Sequence, residues 1–221
     1  MSIDRSKRYA IVKDYHQQTK HHSHRYARSS EYLDWDNQPL PYRLFEGAPQ
    51  IQLPLAENDR DLAYSALYDA IEGLPDSISI ESIANMLELS MGLSAWKKYG
   101  ASEWALRMNP SSGNLHPTEC YLVLPNLARQ KACVTHYNPY LHTLEERALL
   151  NQSQALWLES CGGFGIILTS IPWREAWKYG ERAFRYCQHD LGHALGAMRY
   201  SCNLNGWKMT LIPQISEKTL E

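Results

Sequence analysis

The sequence lacks any apolar run long enough to cross a membrane. Its longest charge-free stretch near the apolar maximum runs from Ser160 to Arg174, and Gly, Ser, Thr and Pro interrupt it. The opening residues, Met1 to Arg8, are dominated by charges and hydroxyls and hold no signal-peptide core. No CxxC pair occurs among Cys120, Cys133, Cys161, Cys187 and Cys202, which argues against a zinc knuckle or a dithiol redox motif. Their odd number and apolar surroundings predict reduced core thiols in a soluble, cytoplasmic protein. Ser111 and Ser112 are not set in a GxSxG elbow, which argues against a serine hydrolase. There is no internal repeat and no low-complexity tract.

What is present is ordinary for a globular chain. The 221 residues are 44% apolar and 21% charged, enough for one large domain or two small ones. The net charge of -2 hides an uneven distribution. Residues 1–28 carry seven Lys/Arg against two acids, with four histidines, whereas residues 29–90 carry two against twelve and residues 91–221 thirteen against ten. No base-reading motif accompanies the basic arm, so nucleic acid is not an expected partner; the two oppositely charged segments can lie against each other.

Spacing predicts a helix over 4–18, capped by Asp4, with Tyr9, Ile11, Val12 and Tyr15 on one side. Residues 21–54 hold four of the eleven prolines and the aromatics Tyr32, Trp35, Tyr42 and Phe45. They read as an extended arm laid over a surface, so residues 1–57 form a helix and arm and residues 58–221 the main domain. A second helix starts at Asn58 or Asp59 and stops near Gly73 and Pro75. Ser79 caps a third, with Ile80, Ile83, Ala84, Leu87 and Met91 at helical spacing. A polar loop leads to a strand over 120–125, paired antiparallel with one over 132–137. Residues 149–160 read as a helix and 164–172 as a buried strand, expected at the centre of the sheet. The longest helix, 181–203, is expected to be the most buried, with Gly206 ending it and a short strand over 207–213 closing the chain. Interleaved helices and hairpin-spaced strands make an α+β layout.

Three constellations have chemical potential. Arg107-Met-Asn-Pro-Ser-Ser-Gly-Asn-Leu-His-Pro117 gathers hydroxyls, amides, a glycine and a guanidinium directly before a strand. It suits a small polar or anionic ligand, with Arg107 able to form paired hydrogen bonds; it is also an acceptable polar turn. Trp173 to Tyr186 is rich in Arg, Lys and aromatics, and Lys178 beside Tyr179 offers an acid/base pair if buried; otherwise it is a solvated basic turn. His189-Asp-Leu-Gly-His193 puts two histidines on one helix face, but with Asp for the usual Glu and no third ligand, and no metal site is expected. Gly192 and Gly196 suggest close approach by another helix or a flat ligand.

In this order, the Arg-x-x-Pro-Ser-Ser-Gly-Asn-Leu-His-Pro loop, the Glu-x-Tyr-Leu-Val strand, the strand ending at Pro172, Lys-Tyr-Gly-Glu-Arg-x-x-Arg-Tyr and the small-residue helix ending Leu-Asn-Gly-Trp resemble the flavin-dependent nitroreductase superfamily. Within it they look most like the SagB-type dehydrogenase branch, which includes azoline oxidases. The resemblance covers about residues 10–213. It implies a nitroreductase-like α+β fold with a central, mainly antiparallel sheet flanked by helices, binding FMN and transferring hydride at flavin N5. Arg107, Ser111, Ser112, Gly113, Asn114 and Leu115 are implied as cofactor-binding residues, and Lys178 and Tyr179 as the catalytic pair. It further implies a small-molecule or peptide substrate, and assembly as a homodimer or with a second nitroreductase-like lobe. The chain would then be a shortened member or one lobe of a tandem protein; a flavin-free lobe serving as a scaffold or peptide-binding partner is the alternative.

Overall fold

The computed structural model describes residues 5–57, 62–68 and 75–212. The elements in chain order are α1 (Arg5–Thr19), β1 (Gln50–Gln52), α2 (Ile80–Met91), β2 (Leu93–Tyr99), β3 (Ser102–Arg107), β4 (Thr118–Leu124), β5 (Cys133–Asn138), β6 (Thr143–Leu149), α3 (Gln152–Ser160), β7 (Gly165–Ser170), α4 (Pro172–Tyr179) and α5 (Ala183–Leu204). A five-stranded sheet has the order β1-β6-β5-β4-β7 and is mainly antiparallel, with a separate hairpin of β2 and β3. The layout is α+β, with helices flanking the sheet.

The described chain forms two compact units. Among the described residues, one contains 5–43, 110–119 and 168–193; the other contains 44–57, 62–68, 75–109, 120–167 and 194–212.

The core of the second unit is built on α2. Ser79 caps the helix reciprocally: the Ser82 N–H donates to Ser79 Oγ at 3.2 Å, and the Ser79 N–H donates to Ser82 Oγ at 2.9 Å. Ile83, Ala84, Met86, Leu87 and Met91 are sealed from water, as are Leu122 and Leu124 of β4, Cys133 of β5 and Leu144 of β6. Burying each large aliphatic side chain contributes about 1.5–3 kcal/mol. Ser201 Oγ donates to Met86 O at 2.8 Å and Asn205 Nδ2 to Ser82 O at 3.0 Å, fastening the end of α5 to α2. That end closes with the Trp207 N–H on Cys202 O and the Gly206 N–H on Asn203 O, the paired bonds of a Schellman stop.

Several expectations are corrected. Residues 92–107, read as a polar loop, form the β2–β3 hairpin. Residues 143–149 form β6, so α3 starts at Gln152, where Asn151 and Gln154 make a capping box. The 164–172 strand lies at a sheet edge as β7 and is half-buried, not central. Hydropathy reports a strand's two faces and is blind to its two edges, so the apolar run misled on position. The most buried helix is α2, not the one over 181–203: α5 has a buried stripe of mostly small residues, while Phe184 and Tyr200 stand in solvent. Residues 207–212 form no strand. Cys161 is exposed, although the other four thiols are buried. A side chain at Gly192 or Gly196 would meet nothing within 4 Å, so neither glycine serves close packing among the described residues. The Asp4 cap, most of the second helix and Pro213 lie outside those residues. No described helix is long and apolar enough to cross a membrane.

Ser79→Ala is expected to lower unfolding free energy by about 1 kcal/mol. Leu87→Ala should cost about 2–5 kcal/mol. Urea denaturation checks both, and an equal effect of the two would contradict this account of the core.

Candidate active site

The loop before β4 folds tightly within the first unit. Gly113, Asn114 and His116 have φ of 65°, 59° and 49°. For Asn and His the left-handed region costs about 1–2 kcal/mol per residue, so other bonds must hold it. His116 provides them: its N–H donates to Ser111 Oγ at 2.8 Å, and its carbonyl accepts from Arg174 Nη1 at 2.6 Å. Arg174 also donates to the Glu119 carboxylate, and both partners are buried.

Arg174 lies in the first turn of α4. Pro172 opens this helix, where the missing N–H has no intrahelical partner to lose. Gly180, with φ 52° and ψ −124°, ends it and separates it from α5. Few residues but glycine adopt that conformation, so the basic aromatic stretch 173–186 is divided between two helices. The last turn of α4 carries Lys178 and Tyr179. A Cβ built on Gly113 would stand 2.9 Å from Tyr179 Oη and 3.1 Å from Lys178 Nζ. A side chain here would push those two flexible ends aside, and the positive φ itself favours glycine. The Tyr179 ring packs on Tyr186 at a centroid distance of 4.2 Å, and the Arg182 guanidinium lies 4.9 Å from the Tyr186 centroid.

Two acids lie in the same unit. Glu175 of α4 and Asp190 of α5 are both fully buried. Burial, then the charge of Asp190, pushes Glu175 up to about 8, against the pull of Lys178. Burial also raises Asp190, opposed by hydrogen bonds from Ser111 and the Ser112 backbone. The Tyr179 phenol is raised by burial first and Glu175 second, which keeps it a proton donor.

The structure thus brings Gly113, Lys178 and Tyr179 together. Ser111, Ser112 and Asn114 are half-buried beside Gly113 in the loop, whereas the Leu115 side chain is buried. Arg107 is buried at the end of β3 and belongs to the second unit, where its charge acts on the Tyr137 phenol. His189 and His193 are exposed; in that motif the buried group is Asp190. Among the described residues no group of three or more metal-ligating side chains converges. Sequence reasoning missed His116, Glu119, Arg174 and Glu175. The hint for α4 was a helix too short for its aromatics to share one face: Trp177 is buried and Trp173 exposed, leaving Arg174 and Glu175 on the inner side.

No family model and no curated protein matches this chain. Among solved structures, a protein of Anabaena variabilis described as a nitroreductase matches with a TM-score of 0.65 at 27% identity, over 87% of this chain. The chain spans only 38% of that protein's length. A Ralstonia eutropha protein, also described as a nitroreductase, matches at 16% identity with a TM-score of 0.48, over 74% of this chain and 80% of its own. The microcin synthetase McbBCD complex of E. coli, with truncated pro-MccB17 bound, matches at 20% identity with a TM-score of 0.45, over 90% of this chain and 80% of its own. The likeness to the Anabaena protein makes the fold of this chain nitroreductase-like.

Gly113→Ala combines a left-handed backbone with a collision at Lys178 and Tyr179. It should destabilise the protein by about 1–2 kcal/mol and move both side chains. Urea denaturation and near-ultraviolet circular dichroism of the tyrosines check this; an unchanged tyrosine signal would show that the loop does not press on the pair.

Proposed function

We propose that this chain acts as an FMN-dependent oxidoreductase of the nitroreductase superfamily, of the SagB-type dehydrogenase kind, on a small-molecule or peptide substrate. The observation that carries the reading is that the bare Gly113 turn packs directly against Lys178 and Tyr179, which brings the implied cofactor loop and the implied catalytic pair to one place. The likeness to the Anabaena protein over most of this chain supports it.

The residues present fit a flat polar cofactor. Ser111, Ser112, Asn114 and the backbone around Gly113 offer hydrogen-bonding groups on a strained, fixed turn. Leu115, with its side chain buried, offers only its backbone. FMN supplies a hydride acceptor at N5, chemistry that no side chain can provide. The chain orients the substrate and handles its proton. Tyr179 stays protonated through neutral pH and donates a hydrogen bond or a proton, and Lys178 offers its Nζ to the substrate beside it. Arg107 is the proposed cation for the cofactor, favouring its reduced, more negative form. Tyr9, Ile11 and Val12, exposed on α1, support assembly as a homodimer or with a second nitroreductase-like lobe.

The purified protein should absorb as a flavoprotein, directly or after adding FMN; a colourless protein that rejects FMN would refute the reading. Lys178→Ala should retain flavin and lose about 10²–10⁴-fold in turnover. Arg107→Ala should weaken flavin retention. The reverse pattern would mean that the two roles are misassigned. Light scattering should give a mass above the 25.5 kDa of one chain.

A further inference from the structure

Among the described residues the His189-Asp-Leu-Gly-His193 segment of α5 gathers no set of metal ligands, but two of its residues grip a loop. Asp190 and His193 are three positions apart and share one face of the helix. Asp190 Oδ1 accepts the Ser112 N–H at 3.3 Å, and the Ser111 hydroxyl donates to the same carboxylate. His193 Nδ1 donates to the Pro110 carbonyl at 3.2 Å. A carbonyl can only accept, so Nδ1 carries a proton. All of these residues lie in the first unit.

Burial gives the grip its force. Asp190 is 0% exposed, and a carboxylate shut away from water is costly unless donors meet it. The donors that meet it come from the loop and not from its own helix.

Ser111 carries the effect onward. A hydroxyl has one proton to give and two lone pairs to receive with. The Ser111 proton goes to Asp190, which fixes the direction of Oγ, and one lone pair takes the His116 N–H at 2.8 Å. The Ser111 carbonyl takes the Asn114 N–H at 3.2 Å. Both bonds close across Gly113. They end on Asn114 and His116, the two residues whose φ of 59° and 49° needs outside support.

We propose that Asp190 and His193 clamp residues 110–112 onto α5, and that Asp190, acting through Ser111, holds the Gly113 turn in the shape that receives the cofactor. Asp190 is a positioning residue and Ser111 is its link. Ser111 has no proton left for a ligand and offers only its second lone pair. The service to a cofactor rests on the oxidoreductase reading; the existence of the clamp does not.

Amide hydrogen exchange of flavin-free protein, read by NMR, tests the clamp. Asp190→Ala should speed exchange about tenfold to a hundredfold at Ser112, which loses its acceptor, and at His116, which is reached through Ser111. Asp190→Asn, whose amide oxygen still accepts, should bring both amides back toward the wild type. Ser111→Ala should speed exchange at His116 as much as Asp190→Ala does, and the double variant should go no further. A His116 amide unchanged in Asp190→Ala, or a double variant in which the two effects multiply, overturns the proposal. If Asp190→Ala does not fold, three-bond couplings in the wild type decide: Ser111 should hold a single χ1 rotamer, and averaging over rotamers overturns the proposal.

FMN titration followed by flavin fluorescence tests the service to the cofactor. Asp190→Ala should weaken FMN binding about tenfold, since the loop is no longer held in its binding shape, and Asp190→Asn should restore most of the affinity. A wild-type protein that rejects FMN while the exchange pattern holds would sink the oxidoreductase reading alone. A flavoprotein that binds FMN equally tightly with Asp190→Ala would sink this inference alone.

Discussion

From a position closed to water, the Arg174 guanidinium donates to the carbonyl of His116 and to the carboxylate of Glu119. Removing one partner from such a buried pair typically costs about 3–5 kcal/mol, because the other charge is left stranded. The pair also does more than hold two side chains. By gripping the His116 carbonyl it sustains a backbone conformation that histidine alone would leave, and the neighbouring Ser111 contact closes the turn. Because Arg174 belongs to α4, the turn is registered against the helix that carries Glu175, Lys178 and Tyr179.

Two buried acids, one in each unit, are held differently. In the second, Glu145 accepts from His136 Nδ1 at 2.9 Å, from Asn138 Nδ2 at 2.9 Å and from the Phe45 N–H at 3.4 Å. The Phe45 ring stands edge-on to His136, and the Arg147 guanidinium lies 3.7 Å from the Phe45 centroid. That network is multiply bonded, as a structural network should be. In the first unit the fully buried Glu175 has no hydrogen-bond partner among the described residues. Fold stability alone would favour an apolar side chain or an amide there.

Much of this was legible in advance where one local rule acted alone. The Ser79 cap, the apolar stripe of α2, the β4–β5 pair and the Gly206 stop each follow from a few neighbouring residues, and the structure contains all four. The Pro-Ser-Ser-Gly-Asn loop was visible as a concentration of hydrogen-bonding groups, although its left-handed backbone was not. The β2–β3 hairpin was missed because nearly all of β2 is exposed: with no face turned inward, Trp96, Lys97, Lys98 and Tyr99 carry no alternation to detect. Glu175 was missed for a different reason. Its side chain is ordinary, and only the elements packed around it make it unusual.

The left-handed backbone at Asn114 and His116 has a consequence for how the chain tolerates change. Glycine at His116 would relieve the backbone, and it would also erase the 2.8 Å contact between the His116 ring and Asn114 Oδ1. Selection for robustness and selection for a rigid turn thus pull in opposite directions at the same atoms. In a library ranked by thermal tolerance alone, variants relaxed at this turn would rise to the top while losing the shape that presents Gly113 to Lys178 and Tyr179.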